Sequence, residues 1–338
     1  MLLDIIITHY KEPFEKTGRK LFDSIEMQRG ISLSDFRVIL VNDGKENAIP
    51  DEALRGYHFA IVNRAIEHAG VSAARNHGID YSTADWVMFC DFDDMFASIY
   101  ALRNIITLLK KDEIEQIDML WSPFYVENSH IRDTDQYAVM LQGQNLIWIH
   151  GRVYRREMLN REHMRFDERL YYGEDSAFNA VLNEIVPFER VGKILSEAPL
   201  YLWCYQENSV TTNKANLGRN AVGHILRNLS VTEEFIQRGI DATSMVGRMF
   251  WDAYCGTHRR GEDPEIVDRM EEFFAPIAEK YEETYQRVNK TELAMVRAAA
   301  MRGIKGPENI AGDETMEEWI NRITGGKASG GGGGGKTE

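Results

Sequence analysis

Three carboxylates, Asp91, Asp93 and Asp94, close the run Trp86-Val-Met-Phe-Cys-Asp-Phe-Asp-Asp-Met-Phe96. Carboxylates this close repel one another unless a cation lies between them. Hard oxygen donors favour Mg²⁺ or Mn²⁺, ions commonly shared with a diphosphate. The plainer alternative is that Asp93 and Asp94 cap a helix starting near Met95, where acidic side chains are favoured by the helix dipole. The four residues Asp91-Phe-Asp-Asp94 taken alone leave both readings open.

The surrounding elements explain how such a cluster is positioned. Trp86–Cys90 is apolar and β-prone along its whole length, as a strand buried on both faces is, and it delivers the acids to a sheet edge. Leu2–Thr8 predicts an earlier strand, followed by the polar turn His9–Pro13. Phe14–Arg29 predicts a helix with Leu21, Phe22 and Ile25 at helical spacing. Phe36–Val41 predicts a second strand, parallel to the first because a helix-length crossover joins them, and ending in Asn42-Asp43-Gly44. Tyr57–Val62 predicts a third. The small residues Ser72, Ala73, Ala74 and Gly78 suit a closely packed helix over 70–81. A helix over Ile99–Lys111, strands over Met119–Val126 and Leu200–Tyr205, and a helix opening at Glu174-Asp175 follow. The order predicts an α/β fold with a Rossmann-like, mixed but mostly parallel sheet flanked by helices.

Composition bounds the function. A chain of 338 residues that is 43% hydrophobic is long enough for a catalytic domain and an appendage. A net charge of -14 and a pI near 5.2 argue against tracking along a phosphate backbone, so nucleic acid is an unlikely partner. Cys90, Cys204 and Cys255 are widely spaced and form no CxxC pair, so no disulfide framework or zinc site is expected and a cytoplasmic location is. The N-terminal apolar run is broken by Asp4, and no apolar stretch approaches about 18 residues, so neither a signal peptide nor a transmembrane segment is expected. From Lys214 onward the segments read as amphipathic helices, among them Ile266–Phe274 and Met295–Met301. The expected organisation is a catalytic domain over 1–212, a helical region over 213–324 and a Gly-rich flexible tail over 325–338.

In order along the chain stand Thr8-His9-Tyr10, Val41-Asn42-Asp43-Gly44, Ala74-Arg75-Asn76-His77-Gly78-Ile79, Asp91-Phe92-Asp93-Asp94, Gly151-Arg152-Val153-Tyr154-Arg155-Arg156, and Arg165-Phe166 with Glu174-Asp175. Over roughly the first 212 residues this set resembles the family 2 glycosyltransferases of GT-A fold, with Asn42 in place of a family Asp and Arg152 where Lys is common. Each motif is weak by itself, and the ordered set is specific.

The resemblance implies a role for each position. Asp93 is the first choice of metal ligand, Asp91 holds the metal or a ribose, and Asp94 stands behind them or caps the helix. His150 is a further metal ligand or is simply packed beside Trp148 and Ile149. Thr8, Tyr10 and Glu12 line the nucleotide pocket, and Asp43 accepts a hydrogen bond from a uracil-type ring. Arg75 reaches the phosphates or pairs with a carboxylate, and Arg152 grips phosphate oxygens. Trp121, Tyr172 and Trp203 offer faces for a sugar ring or belong to the core. Asp175 is the base for an acceptor hydroxyl, with Glu174 orienting the acceptor or the loop, or both acids merely open a helix.

The implied activity is metal-dependent, inverting transfer of a sugar from a nucleoside diphosphate donor, UDP-linked, with Mn²⁺ or Mg²⁺ as cofactor. The acceptor is a hydroxyl on a glycan, a lipid-linked molecule or another compound. The rivals are a nucleotidyltransferase, which lacks its Gly-rich phosphate loop here, and a non-catalytic glycan- or partner-binding module. The C-terminal helices are expected to serve as a scaffold or as a surface through which two copies associate.

Overall fold

Leu3–His9 (β1) is almost wholly buried because its two faces meet different layers. Leu3, Ile5 and Ile7 join one apolar core with Phe22 and Phe36. Ile6 points the other way, where a Cβ added to Gly78 would lie 2.4 Å from its Cγ2. That clearance lets the helix Val71–Tyr81 press directly on the strand, which accounts for the glycine of the Ala-Arg-Asn-His-Gly motif.

The computed structural model describes residues 1–127, 137–140, 147–194, 199–206, 217–258, 263–288 and 314–325. It divides into two compact units, Met1–Ser209 and Val210–Glu338. In the first unit the strands are β1, β2 (Phe36–Asp43), β3 (Ile61–Ile66), β4 (Trp86–Asp91), β5 (Met95–Phe96), β6 (Met119–Trp121), β7 (Phe124–Glu127), β8 (Tyr137–Met140), β9 (Arg152–Arg155), β10 (Val191–Lys193) and β11 (Tyr201–Trp203). Its helices are α1 (Arg19–Glu26), α2 (Asp51–Leu54), α3 (Val71–Tyr81), α4 (Ala101–Leu109), α5 (Arg156–Arg161) and α6 (Glu174–Ile185).

Seven strands form one sheet in the order β10-β6-β9-β4-β1-β2-β3, in which only β9 runs antiparallel to its neighbours. This is the mixed, mostly parallel sheet that the sequence predicts. A smaller sheet, β5-β11-β7-β8, packs beside it. Asp4 is fully buried within β1 and is satisfied by Arg37 through two bonds of 2.8 Å, by the Ser82 hydroxyl, and by the N–H groups of Thr83 and Ala84. Burial alone would raise its carboxyl, but these donors outweigh it and hold the pKa below the ordinary value.

Two of the boundaries that differ from expectation have a clear physical cause. The strand expected over Tyr57–Val62 begins at Ile61, because Phe59 is drawn into the core as part of a loop whose His58 N–H is held by Glu26. The single strand expected over Met119–Val126 is divided at Ser122-Pro123, since proline has no N–H to offer a ladder. Ser122 N–H instead donates to Gly151 O, and the chain crosses from the large sheet to the small one.

The second unit is helical in its described residues: α7 (Leu217–Gln237), α8 (Thr243–Thr257), α9 (Pro264–Gln286) and α10 (Met316–Ile323). Trp319 of α10 is fully buried, stacks on Phe274 and donates to Glu271 at 2.9 Å. Thr315 and Glu318 form a reciprocal capping box that fixes where α10 starts. The segment Met295–Met301 and the Gly-rich tail after Gly325 lie outside the described residues. No described helix is long and apolar enough to cross a membrane.

Candidate active site

The parallel strands β1, β2 and β4 end at one edge of the sheet. Thr8 lies level with Asp91 and Val41, and His9 lies level with Asn42. Ligands of open α/β sheets gather at this edge, because the strand ends leave a crevice there that the helices do not fill.

At the tip of β4 the backbone turns back on itself, with Asp94 N–H donating to Asp91 O at 3.1 Å. The turn folds Asp94 inward until it is fully buried, while Asp93 stays partly exposed. Donor atoms of Asp91, Asp94 and His150 consequently lie within 4.8 Å of one another. The structure thus groups Asp94 with Asp91 and His150, where the sequence points to Asp93. The reason is the tightness of a turn that four consecutive letters do not reveal.

His150 is buried, and its Nδ1, 3.9 Å from Asp94 Oδ2, has no hydrogen-bond partner. Burial pulls its pKa down to about 4, so the ring is neutral and keeps a lone pair. A buried nitrogen without a hydrogen-bond partner facing two acids is a donor set that suits a divalent cation. The electrostatics agree. Burial and then the Asp91 charge push the Asp93 carboxyl up to about 6. Burial and the other two acids raise Asp94 well above its ordinary value.

Arg75 of α3 joins this turn to α6. It is 4% exposed, donates through Nη2 to Asp91 at 2.8 Å and through Nη1 to Glu174 at 2.6 Å. Of the two readings open in the sequence, it takes the carboxylate pairing. Burial alone would lower its pKa, but Asp91, Glu174 and Asp175 together raise it. Asp91 in turn is held below its ordinary value: burial opposes ionisation, and the charge and hydrogen bond of Arg75 more than compensate.

Glu174 is therefore committed to Arg75. Asp175 Oδ1 accepts from the N–H and hydroxyl of Ser176, and Oδ2 makes no hydrogen bond among the described residues. Burial and the adjacent Glu174 push the Asp175 carboxyl up to about 7. A carboxylate with one oxygen uncommitted and a pKa near neutrality can take up a proton at working pH.

The nucleotide-side residues occupy the turns after β1 and β2. Thr8 is partly exposed at the end of β1. Tyr10 stacks on His68 at 4.3 Å, and Glu12 accepts the Tyr10 N–H at 2.9 Å. Asp43 is 3% exposed and accepts from His68 Nδ1, Ala69 N–H and Gly70 N–H, so it shapes the loop that leads into α3. Asn42, in the place of a family Asp, accepts from Ile49 N–H and donates to Arg64 O and Asn63.

Arg152 sits deeper than a phosphate-gripping group on an open edge. It is 1% exposed, donates to Asn179 and Asn183 and lies 4.4 Å over the Trp121 ring. The Trp121 face is thus covered by a guanidinium, in keeping with the core reading of that residue.

Two contributors make contacts that no spacing in the sequence points to. Asn76 of α3 pairs reciprocally with the backbone of Phe166, at 2.9 and 2.8 Å, which locks the Ala-Arg-Asn motif to the Arg-Phe motif 90 residues away. Tyr201 of β11 donates to Asp94 Oδ2 at 2.7 Å and accepts from Asp91 N–H at 3.1 Å. Both contacts span a sequence distance across which spacing carries no information.

A sheet of this order, carrying an acidic turn at its central strand end, is that of the GT-A fold. The family model described as Glycosyl transferase family 2 matches residues 4–179, just over half of the chain. The chain belongs to that family. It is 31% identical over 232 residues to the uncharacterized glycosyltransferase EpsJ of Bacillus subtilis (strain 168), covering 62% of this chain and 63% of that protein. It is 25% identical over 221 residues to the minor teichoic acid biosynthesis protein GgaB of the same organism, covering 61% of this chain and 24% of that one. The match thus spans less than two thirds of either relative. Among solved structures, S. aureus TarS 1-349 in complex with UDP-GlcNAc superimposes with a TM-score of 0.52 at 15% identity, covering 88% of this chain and 92% of that one, a likeness of fold.

Proposed function

We propose that this chain transfers a sugar from a UDP-linked donor to an acceptor hydroxyl with inversion, using a divalent cation, Mg²⁺ or Mn²⁺, held by Asp91, Asp94 and His150. The observation that carries the reading is the grouping of these three donors within 4.8 Å at the strand end, next to a buried arginine that leads to Asp175. When bound, the cation would supply charge stabilisation to the departing diphosphate. Asp93, on the same turn, adds negative charge that a cation relieves.

The remaining work falls to the chain's own residues. Arg75 keeps Asp91 ionised and fixes Glu174 in one rotamer, so that Asp175 is presented from the first turn of α6. Asp175 takes the proton of the acceptor hydroxyl as that oxygen attacks the anomeric carbon, a single displacement that inverts the centre. Thr8, Tyr10, Glu12 and Asp43 form the base and ribose side, with the Tyr10 ring as the flat surface. Arg152 supports α6 through Asn179. UDP is the favoured nucleotide because the TarS structure that shares this fold carries UDP-GlcNAc. Residues Met1–Ser209 form the catalytic unit, and the helical unit is a scaffold or the means by which two copies associate.

Isothermal titration with UDP in the presence and absence of Mn²⁺, followed by a screen of nucleotide sugars for hydrolysis, tests the reading. Mn²⁺-dependent UDP binding that disappears in Asp91→Asn supports it. No UDP binding at millimolar nucleotide with Mn²⁺ present sinks it.

A further inference from the structure

We infer that Tyr201 is the positioning residue of the proposed cation site: its hydroxyl and ring together hold Asp91, Asp94 and His150 in one arrangement. The inference rests on the acidic turn being a cation site and assigns a role to a residue beyond the segment that the family model matches.

The Tyr201 oxygen is saturated in a directional way. Its one proton goes to Asp94 Oδ2 at 2.7 Å, and a lone pair accepts Asp91 N–H at 3.1 Å. Asp94 Oδ1 is held separately by Cys204 N–H at 2.8 Å, so the carboxylate cannot rotate. The phenol ring then stacks on His150, centroids 5.6 Å apart and planes 14° from parallel. Since His150 Nδ1 has no hydrogen bond to orient it, packing must do so, and the rings of Tyr201, Phe124 and Trp148 supply that packing, Tyr201 alone by stacking.

Tyr201 and Phe124 are themselves level with each other in the small sheet, and Tyr201 is also paired with Phe96. The small sheet therefore carries a rigid template for the donors at the edge of the large one. Tyr201 is wholly buried, so it touches neither nucleotide nor acceptor and acts only through the three donors. Filling the core would need the ring alone. A hydroxyl with both its donor and its acceptor function spent on the acidic turn goes beyond packing.

The test is Mn²⁺ binding to the full chain, by titration calorimetry and by the electron paramagnetic resonance signal of free Mn²⁺, with no donor present. Tyr201→Phe keeps the ring and should weaken Mn²⁺ binding at least tenfold, while the donor KM at saturating Mn²⁺ stays within about twofold of the original protein. Val126→Ala, in the adjacent strand β7, should leave Mn²⁺ binding unchanged. Asp94→Glu provides a second approach should Tyr201→Phe fail to fold. It keeps the charge but displaces the carboxylate from the Tyr201 hydroxyl, and should also lose Mn²⁺. Unaltered Mn²⁺ affinity in Tyr201→Phe or in Asp94→Glu overturns the positioning role and leaves the cation site standing. Absence of Mn²⁺ binding by the unaltered protein removes the cation site itself, and the inference with it.

Discussion

Arg75 and Asp91 form a buried ion pair, Nη2 to Oδ1 at 2.8 Å, with the arginine side chain 5% and the aspartate 28% exposed. The same guanidinium reaches Glu174 through its other nitrogen, so a helix, a strand end and a second helix meet at one planar cation. Such a cation binds two carboxylates in fixed directions, which a point-like ammonium does not.

Replacing Arg75 by Met should leave Asp91 and Glu174 unpaired against each other. Breaking a buried pair from one side costs about 3–5 kcal/mol. Arg75→Lys should recover part of that stability but little turnover, because one ammonium cannot hold both acids in register. Denaturant unfolding alongside a sugar-transfer assay checks both, and Lys activity equal to Arg would contradict the proposed bridge.

The pH profile should report Asp175. Its carboxyl is raised to about 7 by burial and the adjacent Glu174, so it is protonated and idle as a base below that pH and ionised above it. Activity, followed as kcat/KM, should therefore rise with pH through a limb near 7. Asp175→Asn should abolish the limb and reduce kcat by about 10²–10⁴-fold with UDP binding retained. A variant that keeps its turnover would assign the base elsewhere.

Stability at low pH should depend on Asp4. Its folded pKa lies below the unfolded value, so ionised Asp4 stabilises the fold fully above the ordinary carboxylate range, and this contribution is lost as pH falls through the lowered folded value. Asp4→Asn should cost about 3 kcal/mol at neutral pH, as for a buried pair losing one partner. The gap between the two proteins should close as pH drops below the ordinary Asp value, measured by urea unfolding at a series of pH values.

The sequence by itself determined the layers and the edge where chemistry takes place. Runs such as Ile5-Ile-Ile7 and Val38-Ile-Leu-Val41 admit burial on both faces only in a covered parallel sheet, and a strand ending in acids must present them at its tip. Pattern and local propensity suffice there, because each depends on residues a few positions apart. Which acid joins His150, which nitrogen of Arg75 meets which partner, and the part played by Tyr201 were decided only by tertiary structure. The Asp94 and Tyr201 contact joins residues 107 positions apart, and its existence depends on a turn and on a second sheet that close in space. Hydrogen bonds act over about 3 Å whatever the length of chain between their ends, so periodicity cannot encode them.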